Sequence, residues 1–321
     1  MSQIIFRAEK IKKKYIKPNL KFDFRPRIAL NSLDMQIHQG DIYGFVGNNG
    51  AGKTTLIRIL AGLATPNEGT IELFGEKNPE KLYRQRARIN GMIEMPALYT
   101  NLTAYDNLEI CRLQKGIADK KCISMALKVV GLEQDDIIGV KTGDFSLGMR
   151  QRLGIGMALL GNPRFLFFDE PLNGLDPEGI RDFRKLVQKL NQKYGITILI
   201  SSHMLKELSQ LATYYGFVNK GRMLEEISAK DLEDKFNRYM LVKVDSATNA
   251  EYILREAGIT KLEIVSDDTL KLYERFNSSG AITKILVNKG VTVNSLTETG
   301  ENLENYYMSL VGKKDDEPNC T

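Results

Sequence analysis

"DIYGFVGNNGAGKTTLIRILAGLA", Asp41 to Ala64, decides how this chain folds. "DIYGFVG" has the β-branched and aromatic content of a buried strand. "TTLIRILAGLA" carries its apolar residues at helical spacing. Between them "GNNGAGKTT" satisfies G-x-x-x-x-G-K-[ST] in the setting that pattern requires, a strand before it and a helix after it. Gly50 and Gly52 let the backbone curl so that successive N–H groups point at one anion, and the helix N-terminus adds partial positive charge. Gly47, Asn48, Asn49, Gly50, Ala51, Gly52, Lys53, Thr54 and Thr55 therefore form a candidate phosphate cradle. Lys53 is expected to reach the β- and γ-phosphates and Thr54 to hold Mg²⁺. A plain glycine turn would not need the strand, the lysine and the threonine together.

The same alternation continues outward. "RFLFFDE", Arg164–Glu170, is a second apolar strand that ends in acid. It places Asp169 near the Mg²⁺ and Glu170 where it can polarise an attacking water. "DPEGIRDFRKLVQKLNQKYG" follows as an amphipathic helix, with Asp176 at the N-cap, Pro177 in the first turn and Gly195 at the C-terminal end. "ITILISSH" is again a strand and "MLKELSQLA" a helix. Alternation of this kind predicts a parallel sheet covered by helices. Residues 96–162 are mostly helical in pattern and read as an insert, with Thr103 and Asp106 marking a helix start.

After "YYGFVNKGRMLEE" the character shifts, and "SAKDLEDKF" reads as a short helix at a boundary. Beyond it the order is strand, helix, strand, Asp-Asp turn, strand, helix, strand, helix. Thr248 and Glu251 suggest a capping box for the first of these helices. The βαββαβ order is the ferredoxin-like plan, which implies no particular function. The tail from Gly312, "GKKDDEPNCT", is polar and predicted to be disordered.

Composition sets limits. The chain has 321 residues, 45 basic and 40 acidic side chains, and a net charge of +5. A balance this close does not mark a nucleic-acid binder. One local basic cluster, Lys10, Lys12, Lys13, Lys14, Lys17, Lys21, Arg25 and Arg27, could face phosphates or an anionic membrane, although a solvated face is the simpler reading. Three cysteines without metal-ligand spacing suit free thiols in a reducing compartment. The start lacks the apolar run of a signal peptide, and no stretch approaches the roughly 18 apolar residues a membrane span needs.

"DFSLGMRQRLGIGMALL" narrows the class. Ser146-Leu147-Gly148 opens a long helix shortly before the Asp169 strand, and the segment resembles the signature motif of ATP-binding-cassette (ABC) ATPases, usually LSGGQ. "LNGLD", Leu172 to Asp176, is similar to the D-loop, and His203 in "ISSH" to the switch histidine. The resemblance covers roughly residues 4–224. It implies an α/β fold: a P-loop NTPase domain of ABC type at 1–226, a mixed sheet with a helical subdomain at about 96–162. A small α+β ferredoxin-like domain at 227–311 follows, then the tail at 312–321. It also implies ATP and Mg²⁺ as cofactors, Glu170 as general base and His203 as the γ-phosphate contact. Ser146, Gly148, Met149 and Asp176 would meet the ATP of a second copy, or of a homologous subunit, in a head-to-tail dimer. Phe145 and Leu147 depart from the usual signature, but the serine and second glycine are kept. Tyr15 matches the adenine-stacking aromatic; an apparent insertion behind it leaves Phe22 and Phe24 as alternatives.

Glu94, after the apolar run Ile89–Ile93, stands where most of the family has a glutamine that touches Mg²⁺. A carboxylate closing a buried strand is costly unless paired, so Glu94 is either a cation or water ligand or a surface acid. Its context "IEMPALYTNLTAYDNL" is similar to the bacitracin-resistance and lantibiotic-immunity branch of ABC exporters. That branch implies an ATPase subunit on the cytoplasmic face of the plasma membrane, working with an integral-membrane permease that docks near Met95–Tyr99, and no nucleic acid. A soluble ABC ATPase serving as a regulatory switch, or one tied to ribosomes or DNA, is the alternative.

Overall fold

The computed structural model describes residues 3–16, 26–134, 137–235, 239–274, 279–299 and 303–315. Phe22 and Phe24, with Lys17, Lys21 and Arg25, lie outside these. The chain divides into two compact units, Met1–Ala229 and Lys230–Thr321.

The first unit opens with two strands of thirteen residues, β1 (Ile4–Ile16) and β2 (Pro26–His38), paired antiparallel. β3 (Ile42–Val46) follows, buried at every position, as expected of a strand covered on both faces. Then come α1 (Lys53–Leu60), β4 (Glu68–Leu73), the short α2 (Leu82–Arg86) and β5 (Ile89–Ile93). The insert holds α3 (Ala104–Gln114), α4 (Lys121–Val130) and α5 (Leu147–Leu159). The capping box on α3 is present: Thr103 accepts from the Asp106 N–H while the Asp106 carboxylate accepts from the Thr103 N–H. β6 (Phe165–Asp169), α6 (Pro177–Tyr194), β7 (Thr197–Ser202), α7 (Leu205–Leu208), β8 (Tyr214–Asn219) and β9 (Arg222–Ser228) complete the unit.

Six of these strands form one sheet in the order β5-β6-β7-β3-β8-β9, parallel except for β9. β1, β2 and β4 form a second, antiparallel sheet. One apolar core joins them through α1, whose Leu56, Ile57, Ile59 and Leu60 are buried among residues of both sheets. α6 turns Ile180, Phe183, Leu186, Val187 and Leu190 inward, with Phe183 edge-on to Phe168 at 5.9 Å. Asp176 caps its start through the Gly179 N–H, and Gly195, in the left-handed region, ends it.

The second unit contains α8 (Ala229–Lys235), whose first residue belongs to the first unit, β10 (Tyr239–Val244), α9 (Ala247–Glu256), β11 (Leu262–Ser266), β12 (Thr269–Leu272), α10 (Ser279–Asn288), β13 (Val293–Thr299) and α11 (Leu303–Asp315). Its sheet runs β11-β12-β10-β13, every neighbouring pair antiparallel. Two details correct the sequence reading. α9 begins two residues early, so Ser246, not Thr248, accepts the capping hydrogen bond, from the Asn249 N–H. α11 continues through Asp315, past the expected start of the disordered tail: Gly312 is tolerated within the helix, and the lysines and aspartate after it do not break one.

Candidate functional site

The loop between β3 and α1 is held by close backbone contact. A Cβ at Gly47 would lie 2.5 Å from the Val218 carbonyl, and one at Gly52 would lie 2.6 Å from the Ala29 carbonyl. Gly50 and Gly52 have φ of 82° and 111°, which only glycine adopts without strain. The Ala51 carbonyl accepts from the Gly221 N–H at 2.9 Å, which ties the loop to the β8–β9 turn. Lys53 is buried and donates to the carbonyls of Gly47 and Asn48.

A cleft of about 230 Å³ opens over this loop, lined by Asn49, Gly50, Gly52, Lys53, Thr54 and Thr55, by Tyr15 and Arg27 from β1 and β2, and by Glu170. Tyr15, the expected adenine-stacking residue, thus faces the cradle, with the Lys13 ammonium 5.2 Å from its ring centroid.

β6 lies two places from β3, with β7 between them, and delivers both acids to the same end of the sheet. Asp169 is 1% exposed, and its carboxylate accepts from the Ser201 hydroxyl on β7. Glu170 has φ of 49° and is fixed by N–H donation to the Ser201 carbonyl and hydroxyl oxygens. One Glu170 oxygen is 3.0 Å from Lys53 Nζ, an ion pair rather than an aligned hydrogen bond. The other is 2.8 Å from His203 Nδ1. Lys53, Glu170 and His203 thus form one chain of contacts. Ser201 was missed in the sequence reading, although it stands only two residues before His203.

Ser146, Gly148 and Asp176 line a different cleft, of about 400 Å³, between the starts of α5 and α6. Ser146 caps α5 by accepting from the Met149 N–H at 3.2 Å. Within one chain, then, these residues and the phosphate loop line separate clefts.

Glu94 does not close a buried strand. It sits just past β5 with φ of 62°, its side chain 71% exposed, and pairs with Arg58 of α1 at 3.3 Å. It lines neither cleft. Its neighbours Met95 and Tyr99 are half exposed, and Asn107 of α3 ties down the Tyr99 backbone on both sides.

A glycine loop between strand and helix, with two carboxylates at the same end of one mostly parallel sheet, gives the first unit the layout of a P-loop nucleotide-hydrolysing α/β domain. The pattern of the ABC transporter family matches residues 30–173. The bacitracin transport ATP-binding protein BcrA of Bacillus licheniformis is 40% identical over 288 residues, 88% of this chain and 92% of BcrA. The lantibiotic transport ATP-binding protein SrtF of Streptococcus pyogenes is 40% identical over 70% of this chain and 96% of SrtF. Among solved structures, a dimeric ATP-binding cassette in a post-hydrolysis state with ADP and phosphate superposes with a TM-score of 0.61, covering 70% of this chain and 99% of that one at 23% identity. The chain belongs to the ATP-binding proteins of ABC transporters, and its activity is ATP hydrolysis. Among the described residues no helix is long and apolar enough to cross a membrane.

Proposed function

We propose that this chain powers export of, or resistance to, a bacitracin- or lantibiotic-like peptide through a separate integral-membrane permease. The observation that carries this reading is the 40% identity to BcrA along nearly the whole of both chains. Glu94 in its "IEMPALYTN" context agrees with it. The half-exposed Met95 and Tyr99 offer the permease an apolar contact. The chain then works on the inner face of the plasma membrane. The second unit serves as a ferredoxin-like accessory domain, an assignment supported by its strand order.

Phosphates entering the cradle meet the loop N–H groups and Lys53. They compete with Glu170 for the Lys53 ammonium, and Glu170 is thereby freed to take a proton from the attacking water. His203, 2.8 Å from Glu170, is placed to hold that carboxylate and to meet the γ-phosphate. The groups that would hold Mg²⁺ are hard oxygens, the Thr54 hydroxyl in the cleft and the Asp169 carboxylate, which is buried outside the cleft lining and hydrogen-bonded to Ser201. A Mg²⁺ held there would supply neutralisation of phosphate charge. Glu94, turned to Arg58, would have to leave that pair to join the set. The separate signature-side cleft supports a head-to-tail dimer in which Ser146, Gly148, Met149 and Asp176 of one copy complete the site of another.

The experiment is deletion of the gene in its host, followed by complementation. Sensitivity to bacitracin or a lantibiotic should rise, and resistance should be restored by the parent but not by Glu170→Gln. Unchanged sensitivity to both peptide classes would refute the substrate assignment.

A further inference from the structure

Arg27 differs from Lys12 and Lys13 of the basic cluster. Lys12 is paired with Glu68 at 2.7 Å. Lys13 donates to the Thr65 carbonyl at 2.7 Å and covers the Tyr15 ring. Arg27 has no acidic partner among the described residues, and it lines the nucleotide cleft. It pairs directly with Tyr15 across β1 and β2, so strand register fixes the two side by side. Its guanidinium lies against the loop itself: a Cβ at Gly50 would be 3.2 Å from Arg27 Nη2. The one acid lining that cleft, Glu170, is engaged by Lys53 and His203.

We propose that Arg27 is a phosphate-binding residue of the nucleotide site, a second cation beside Lys53 that reaches the cradle from β2. The two differ in kind. Lys53 is a buried point charge held by loop carbonyls. Arg27 presents a planar fork that matches two phosphate oxygens at once. Tyr15 and Arg27, opposite one another on a single ribbon, make that ribbon a reader of both ends of a nucleotide, the base and the phosphates. This role rests on ATP occupying the cleft over Gly47–Thr55.

The test is ATP affinity of the full chain, by calorimetry at several salt concentrations, for the parent, Arg27→Gln and Arg27→Lys. Arg27 is exposed, so both variants should fold; Arg27→Lys covers a failure of the glutamine variant. Arg27→Gln should weaken ATP binding about tenfold, the usual scale for one charge-assisted hydrogen bond. Its affinity should fall less steeply with salt than the parent's, and Arg27→Lys should fall between the two. Equal affinity and equal salt dependence in all three proteins would overturn the proposal. A parent that fails to bind ATP would instead defeat the nucleotide-site reading on which it rests.

Discussion

Glu170 Oε1 lies 3.0 Å from Lys53 Nζ, so the proposed general base is ion-paired with the proposed phosphate-binding lysine. Both side chains are largely buried, and breaking such a pair without a replacement is costly. In the proposed mechanism the phosphate chain of ATP is that replacement, and substrate binding and release of the base become one event. Glu170→Gln removes the competing anion while keeping the shape. We expect ATP affinity equal to or tighter than the parent's, with turnover reduced by about 10²–10⁴-fold, the range for loss of a general base. Single-turnover hydrolysis beside equilibrium binding separates the two effects; parental turnover would remove Glu170 from the mechanism.

Lys53→Ala leaves Glu170 with His203 as its partner and deletes the ammonium from the cradle. ATP affinity should fall at least tenfold, as one lost charged contact implies. Binding of a fluorescent ATP analogue measures this directly, and unchanged affinity would count against the phosphate-loop assignment.

Glu94→Gln breaks the pair with Arg58, whose side chains are 71% and 46% exposed. Exposed pairs contribute about 0–1 kcal/mol, so the melting temperature should move by no more than about 2–4 °C. The expected effect is on ATPase rate in the presence of the membrane partner. A large loss of stability with unchanged rate would show that Glu94 serves the fold.

Glu226 supplies a pH test away from the site. Burial raises its carboxyl above the ordinary value, outweighing the hydrogen bonds it accepts from the Tyr43 hydroxyl and the Gln36 N–H. The folded chain therefore binds this proton more tightly than the unfolded chain. The resulting stability is full below the unfolded carboxyl's value and is lost as pH rises through the raised folded one. Glu226→Gln keeps an acceptor for Tyr43 and cannot ionise. Its melting temperature relative to the parent should rise with pH across that window and level off above it. A difference independent of pH would mean that Glu226 titrates alike in both states.

The strand, loop and helix at Asp41–Ala64 were legible because one short pattern fixes turn geometry, charge and setting together. Asp169 and Glu170 were legible because an apolar strand ending in acid is uncommon. For Glu94 the sequence left a ligand and a surface acid open, since it does not show that the chain enters the left-handed region there and turns the carboxylate to Arg58, which is the surface-acid arrangement. Arg27 looked like one charge in a solvated cluster. Only the β1–β2 register, set across a connection whose length hides it, places Arg27 opposite Tyr15. The cap at Ser246 was missed because Thr248 and Glu251 fit the capping-box spacing equally well.

The Gly221 N–H donates to Ala51 at 2.9 Å while the Gly221 carbonyl accepts from Asn31 at 2.8 Å. A Cβ at Gly221 would come 2.7 Å from the Ala29 carbonyl. The mutational target for losing ATP binding is therefore larger than the nine residues of the loop. A random screen for nucleotide-binding defects should return changes at Gly221, about 170 positions away in sequence. Such an allele would behave as a loop mutant while leaving every loop residue intact.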